Sequence, residues 1–277
     1  MTGATPGSDV PVIGGSCVPP ERGAATFGWL ATAVLTLACG AVAVAQEQPP
    51  MPAGSPAMKS LGNERYQVGA IVVDRAAGSF VVPGRVLHLD EAPLEYIATS
   101  PDGMKAYETL LEVVASGTEF NLACILLGLE NAERRRPDYQ FDRRPPVGPA
   151  VQLQVRWQED GKTVTRSIHE VLRFDGEGGP PPPPGQQGPP RPPGAPGGEV
   201  PAEEWVYIGS YNRPDGGAYV ADGTGTLVGF VHDPASIIEH RSGLGIGAYG
   251  SVRGNAEVLP PIGGAIELVV TVPRGRE

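Results

Sequence analysis

An apolar segment runs from Ala24 to Ala45 near the start of the chain, after a polar stretch in which Arg22 is the only basic residue close to it. It ends in Ala43-Val44-Ala45, the small-residue pattern that precedes signal-peptidase cleavage. We therefore predict that residues 1–45 are a secretory signal cleaved after Ala45, and that the domain is periplasmic or otherwise extracytoplasmic after Sec-type export.

Two alternatives for this segment stay open. The run is long enough to span a bilayer as an uncleaved N-terminal anchor, with Arg22 on the cytoplasmic side and Glu47 outside. Cys39 could instead be acylated, although Thr36-Leu37-Ala38-Cys39 fits a lipobox poorly. All three readings place the rest of the chain outside the cytoplasm. They allow membrane contact only through the N-terminal segment, if it is retained.

Two segments rich in proline and glycine divide the remaining chain. Residues 46–60 have the composition of a flexible tether. Residues 175–200 contain a run of five prolines and several glycines, which predicts an extended or disordered insert. A globular domain is therefore expected at 61–273, interrupted by this insert.

The densest helical pattern lies at Phe120–Leu129, where apolar residues fill nearly every position. Thr118 is a candidate N-cap and Gly128 a candidate end of the helix. A helix that is apolar nearly all round is buried. We therefore expect it to pack on a sheet at the centre of the core.

Most other apolar segments have the spacing or composition of strands. Val151, Leu153, Val155 and Trp157 alternate with polar residues, and Asp160-Gly161 predicts a tight hairpin turn to a returning strand. Further strands are predicted at 68–73, 80–82, 94–98, 105–110, 218–221, 226–231 and 265–272, and short helices at 168–172 and 234–238. The predicted fold class is α+β: a single domain of mostly antiparallel strands with two or three short helices packed on one face.

Lys105, Tyr107 and Glu108 form the tightest polar cluster in the predicted domain. If 105–110 is a strand, Glu108 lies on the same face as Leu110, where a carboxylate needs a partner or a proton. We identify these three residues as the candidate binding site, with Glu108 as acid or hydrogen-bond acceptor. The alternative is a structural Lys–Glu pair with a tyrosine at the rim of the sheet.

The same region resembles the YdjY-like family of exported bacterial proteins, a domain of unknown function. The family pattern Gly-Lys-x-His-Glu-Ser/Ala-Leu is similar to residues 103–110, and its apolar helix ending Leu-Leu-Gly-Leu is similar to Leu126–Leu129. Trp205–Ser210 is also similar to a family segment. One residue is inserted between Gly103 and Lys105, and Tyr107 stands where the family often has histidine. The resemblance implies a fold and no particular reaction.

Charge and cysteine content narrow the possible functions. The formal charge of −10 argues against nucleic-acid binding, which requires a basic surface. Removal of the leader leaves only Cys124, so an internal disulfide and a cysteine metal site are not expected. The four histidines do not show ligand spacing, and Gly245-x-Gly247-x-x-Gly250 lacks the strand and helix of a dinucleotide site. We predict no cofactor and no metal.

A charged loop at 131–149 carries five arginines. They predict either an anion-binding patch or a solvated loop in which Glu133, Asp138 and Asp142 balance part of the charge.

Three functional classes follow from these patterns. The first is a non-catalytic exported binding or accessory domain, whose partner is a small molecule or an envelope protein. The second is an enzyme in which Glu108 works with another titratable group such as His169. The third is a structural envelope protein.

Overall fold

The structure is a computed structural model that describes residues 57–174, 205–244 and 252–273. The predicted leader, most of the tether, the insert and Gly245–Gly250 lie outside the described residues. No helix within the three described ranges is both long and apolar enough to cross a membrane.

The described chain consists mainly of strands joined by turns. The first six strands are β1 (Met58–Gly62), β2 (Arg65–Val68), β3 (Ile71–Asp74), β4 (Ser79–Val86), β5 (Tyr96–Thr99) and β6 (Thr109–Val113). The others are β7 (Ala150–Glu159), β8 (Lys162–Ser167), β9 (Leu172–Phe174), β10 (Trp205–Tyr207), β11 (Thr226–Gly229), β12 (Ile238–His240), β13 (Val252–Gly254) and β14 (Ala265–Thr271). The helices are α1 (Gly117–Leu126) and α2 (Val220–Thr224), with 3₁₀ turns at Ala106–Glu108 and Leu129–Asn131.

Eight of the strands close into a barrel in the order β4-β14-β7-β10-β12-β11-β5-β6. The pairing of β6 with the second half of β4 closes the ring, while β3 pairs with the first half. Closure depends on Gly84, because a Cβ there would lie 2.3 Å from the Glu112 carbonyl oxygen. The predicted strand at 80–82 therefore ended too early: the observed strand continues through Pro83-Gly84, which lets β6 approach closely.

Alternation along the strands builds the core. Val151, Leu153, Val155 and Trp157 of β7 are buried, as the sequence pattern predicts. α1 adds Phe120, whose ring meets Phe80 of β4 edge to face at 5.1 Å between centroids. Such aromatic contacts contribute beyond the area they bury.

The predicted α+β class was wrong. The described chain is built mostly from strands, eight strands of its 12-stranded sheet close into the barrel, and α1 is its only helix of seven residues or more. Residues 168–172 form a turn into β9, and Asp233 accepts a hydrogen bond from the Ala235 amide in a turn that leads to β12. A helix of about five residues is costly to nucleate and forms few backbone hydrogen bonds, so turns replace the helices predicted at these two segments.

Several boundaries also differ from the prediction. Ser116, not Thr118, caps α1, in a capping box with Glu119. The predicted strand at 68–73 is divided by a turn between β2 and β3, and 218–221 leads into α2. The hairpin at Asp160-Gly161 and the helix end at Gly128 are confirmed, since all three residues have positive φ.

Candidate functional site

The structure brings Lys105, Tyr107 and Glu108 together, but on a 3₁₀ turn instead of the predicted strand. Residues three apart eclipse in such a turn. Lys105 Nζ therefore lies 2.8 Å from Glu108 Oε1, and 3.5 Å from the hydroxyl of Tyr107. The Tyr107 side chain projects outward, with the residue 64% exposed. Glu108 is 6% exposed, so its carboxylate lies at the inner side of the cluster.

Glu95 is the second acid beside this cluster, and sequence analysis missed it. Burial, followed by the nearby charge of Glu108, raises the pKa of Glu95 to about 7. The ammonium group of Lys105 opposes that rise. The Glu95 amide also donates to the Glu108 carbonyl at 2.9 Å, which fixes β5 against the turn before β6. The sequence predicted a strand at 94–98, but it did not indicate that Glu95 in this strand lies beside Glu108.

Further polar side chains connect to Glu95. Gln140 of the arginine-rich loop donates to Glu95 Oε2 at 3.4 Å and to the Tyr96 hydroxyl at 3.1 Å. The Tyr96 hydroxyl donates in turn to Asp233 Oδ2 at 2.8 Å. Lys105 Nζ lies 5.7 Å from the centre of the Tyr96 ring, within cation–π range.

The same connected groups reach Glu239, which is fully buried on β12. Its carboxylate accepts from the amides of His232 at 3.1 Å and Asp233 at 2.9 Å. Burial nevertheless raises the pKa of Glu239 to about 8. We call the connected set the acid network; its members are Glu95, Tyr96, Lys105, Glu108, Gln140, His232, Asp233 and Glu239.

The polar groups of the acid network find most of their hydrogen-bond partners within the protein itself. The His232 ring, for example, faces main-chain carbonyl oxygens on both nitrogens, those of Asp142 and His240. Burial lowers the pKa of His232, while these carbonyls oppose the shift. His169, which the enzyme hypothesis paired with Glu108, packs near Trp205 and His240, at 6.3 Å between ring centroids in each case.

A second polar site lies where the arginine-rich loop meets the end of β10. Arg135 pairs with Val147 through main-chain bonds of 2.8 and 3.0 Å, and this bridge closes the loop on itself. Arg134 and Arg136, on either side, both line a cavity of about 540 Å³. We call it the arginine cavity; its other polar side chains are Asn121, Glu130, Tyr207, Ser210, Tyr211, Asn212 and Tyr219.

Aromatic rings hold both guanidinium groups in place. The Arg134 guanidinium lies 5.2 Å from the centre of the Tyr207 ring and donates to its hydroxyl at 3.2 Å. The Arg136 guanidinium lies 4.9 Å from the centre of the Tyr211 ring and donates to the Ser210 carbonyl. Stacking on a ring orients a guanidinium without neutralising its charge.

The floor of the cavity depends on an unusual turn. Gly209 and Ser210 both have positive φ, +77° and +44°. A side chain at Gly209 would also meet Arg134, because a Cβ there would lie 2.5 Å from Nη1. The Tyr219 hydroxyl donates to the Gly209 carbonyl at 3.0 Å. Burial raises the pKa values of Tyr207 and Tyr219, so both hydroxyls stay neutral.

The two predicted readings of the arginine-rich loop apply to different arginines. Arg144 pairs with Asp138 and Asp142 and is neutralised, as in a solvated loop of mixed charge. Within the described residues, no carboxylate lies in ion-pairing distance of Arg134 or Arg136. Arg134 and Arg136 are therefore the two arginines of the loop that fit the hypothesis of an anion-binding patch.

Sequence analysis singled out both segments that form this cavity, but it did not predict that they are in contact. The arginines and the segment Trp205–Ser210 lie roughly seventy residues apart, and one sequence does not show their contact. The chain matches no family model, and comparison with curated proteins and with solved structures gives no match.

Proposed function

We propose that this protein is an extracytoplasmic, non-catalytic binding domain that holds a small anion in the arginine cavity. One observation carries the proposal: two guanidinium groups line the same cavity, and neither has a carboxylate partner among the described residues. The leader pattern at 1–45 supports the location, and the resemblance to the exported YdjY-like family agrees with it.

The fixed geometry of the guanidinium groups supports binding over solvation. Arg134 and Arg136 are held by tyrosine rings and by acceptors that leave their charge intact. An anion that enters replaces water with charge-assisted hydrogen bonds, which are stronger than neutral ones. Because the side chains are already ordered, little rotamer entropy is lost on binding.

The acid network gives weaker support for an enzyme. Its two acids with raised pKa values, Glu95 and Glu239, are engaged by groups of the protein itself. A general acid or base must reach a substrate proton. The arginine cavity, in contrast, has a volume of about 540 Å³, which is enough for a ligand of several heavy atoms.

Calorimetric titration of the full chain tests the proposal. The probes are succinate, malate, aspartate and inorganic phosphate, with succinamide as a neutral control that keeps the four-carbon skeleton. We expect at least one anion to bind while succinamide does not. The double variant Arg134→Gln/Arg136→Gln should weaken that binding roughly a hundredfold, since each lost charge-assisted bond costs about a factor of ten or more.

Arg135→Gln is the control for position, because it also replaces an arginine of the same loop by glutamine, but outside the cavity. Arg135 donates instead to the Pro145 carbonyl. The control variant should bind the anion with nearly the affinity of the wild type. The proposal is wrong if none of the four anions binds, or if the double variant binds as tightly as Arg135→Gln.

A further inference from the structure

Glu130 brings a negative charge to the same cavity. It lies on the 3₁₀ turn Leu129–Asn131, just after the left-handed Gly128 that ends α1. Its charge and that of Arg134 act on the same atom with opposite effects: Glu130 raises the pKa of the Tyr207 hydroxyl and Arg134 lowers it. Glu130, Arg134 and Tyr207 all line the arginine cavity, so the two opposite charges lie around the same space.

Glu130 does not form an ion pair with either arginine of the cavity within the described residues. All three residues nevertheless line the same cavity. Each guanidinium group is stacked on a tyrosine ring, and neither extends across the cavity to the Glu130 carboxylate. An ionised carboxylate only accepts hydrogen bonds and repels a second carboxylate. A plain anion bound to the arginines would therefore leave Glu130 unfavourably placed.

We infer that the ligand is an acid that also carries a hydrogen-bond donor, either a hydroxyl or an ammonium group. The inference rests on the proposed function and deepens it. The acid group binds Arg134 and Arg136, and the donor reaches Glu130 on the other wall. The two possible donors define two sources of ligand, hydroxy acids and amino acids.

Three of the probes separate these sources. Succinate, malate and aspartate share one skeleton and differ in carrying a hydrogen, a hydroxyl or an ammonium group. We expect malate or aspartate to bind the full chain roughly tenfold more tightly than succinate, the gain of one hydrogen bond to a charged acceptor. The tighter of the two identifies the source.

Variants at Glu130 test whether this residue provides the selectivity. Glu130→Ala should remove the advantage of the donor-bearing acid over succinate. Glu130→Gln keeps an acceptor but loses the charge, so it should reduce the advantage of aspartate more than that of malate. Thermal unfolding of each variant verifies that it is folded.

The inference fails if succinate binds as tightly as both other acids, or if Glu130→Ala leaves the ratio of affinities unchanged. The proposed function survives either result, provided that Arg134→Gln/Arg136→Gln weakens binding as expected. If the arginine variant binds all three acids normally, the proposed function fails as well. The Glu130 variants therefore test the inference, and the arginine variant tests the proposed function.

Discussion

The acid network and the arginine cavity use the same loop, residues 131–149, but treat charge in opposite ways. In the acid network Gln140 reaches inward to Glu95 and Tyr96, and the charged groups are buried against partners from the chain itself. In the arginine cavity, Arg134 and Arg136 face open space without a carboxylate partner among the described residues.

We interpret the charges of the acid network as structural, and those of the arginine cavity as belonging to the proposed binding site. A buried charge must be paired or neutralised, so the acid network is organised to hold the loop and β12 in place. An unpaired cation at a cavity costs little while water reaches it, and it remains free to bind an anion. We therefore expect changes in the network to affect stability and changes in the cavity to affect binding.

The largest loss of stability is expected from Lys105→Met, which removes the cation beside Glu108. Glu108 then lies buried near a second carboxylate, that of Glu95, without the ammonium group that pairs with it. The free energy of unfolding should fall by about 2 kcal/mol near pH 8, less than for a fully buried pair because 28% of the Lys105 side chain is exposed. Urea unfolding measures this change.

The double variant Lys105→Met/Glu108→Gln is the control for that prediction, because it removes the stranded charge as well. It should recover part of the lost stability. If Lys105→Met is as stable as the wild type, the cluster is not structural, and the original prediction of a binding site at Lys105, Tyr107 and Glu108 becomes the better account.

A pair of matched substitutions compares the two regions directly. Tyr96→Phe removes a fully buried hydroxyl that donates to Asp233 and accepts from Gln140, and we expect a loss of about 1–2 kcal/mol. Tyr211→Phe keeps the ring that stacks under Arg136, and we expect a change below about 0.5 kcal/mol. Equal losses in chemical denaturation would contradict the division between network and cavity.

The sequence predicted best those local features that a few neighbouring residues determine. The alternation in β7 and the Asp160-Gly161 turn are examples, since two neighbouring residues with positive φ define that hairpin. Barrel closure was missed because it depends on Gly84 meeting Glu112, a contact between distant residues. The candidate sites follow the same rule: Lys105 and Glu108 are neighbours in sequence, whereas Arg134 and Tyr207 are not.

The pH dependence of stability offers a third test of the network. Glu239 has a pKa of about 8 in the folded protein and an ordinary value near 4.5 in the unfolded chain. Between these values the folded state binds up to one proton more than the unfolded chain at Glu239, so stability must fall as the pH rises, by up to about 1.4 kcal/mol per pH unit. Glu239→Gln should match the wild type at pH 4.5 and exceed it in stability at pH 8.

Glu95→Gln serves as the comparison for that test, since the raised pKa of Glu95 is about 7. It should flatten the fall in stability only up to about pH 7, while Glu239→Gln flattens it up to about pH 8. Unfolding measured across this range separates the two acids. A wild-type stability that rises between pH 4.5 and 8 would contradict the burial of both carboxylates as protonated groups.

Only a small change in stability is expected from Arg134→Gln/Arg136→Gln, although these residues carry the proposed function. Each guanidinium donates one hydrogen bond to the cavity wall, to Tyr207 or to the Ser210 carbonyl, and a glutamine amide or water replaces part of it. The free energy of unfolding should change by less than about 1 kcal/mol, because neither arginine belongs to an ion pair among the described residues. Loss of anion binding together with unchanged urea unfolding would mark the arginines as functional. A loss above about 2 kcal/mol would instead place them with the acid network, as residues that hold the loop.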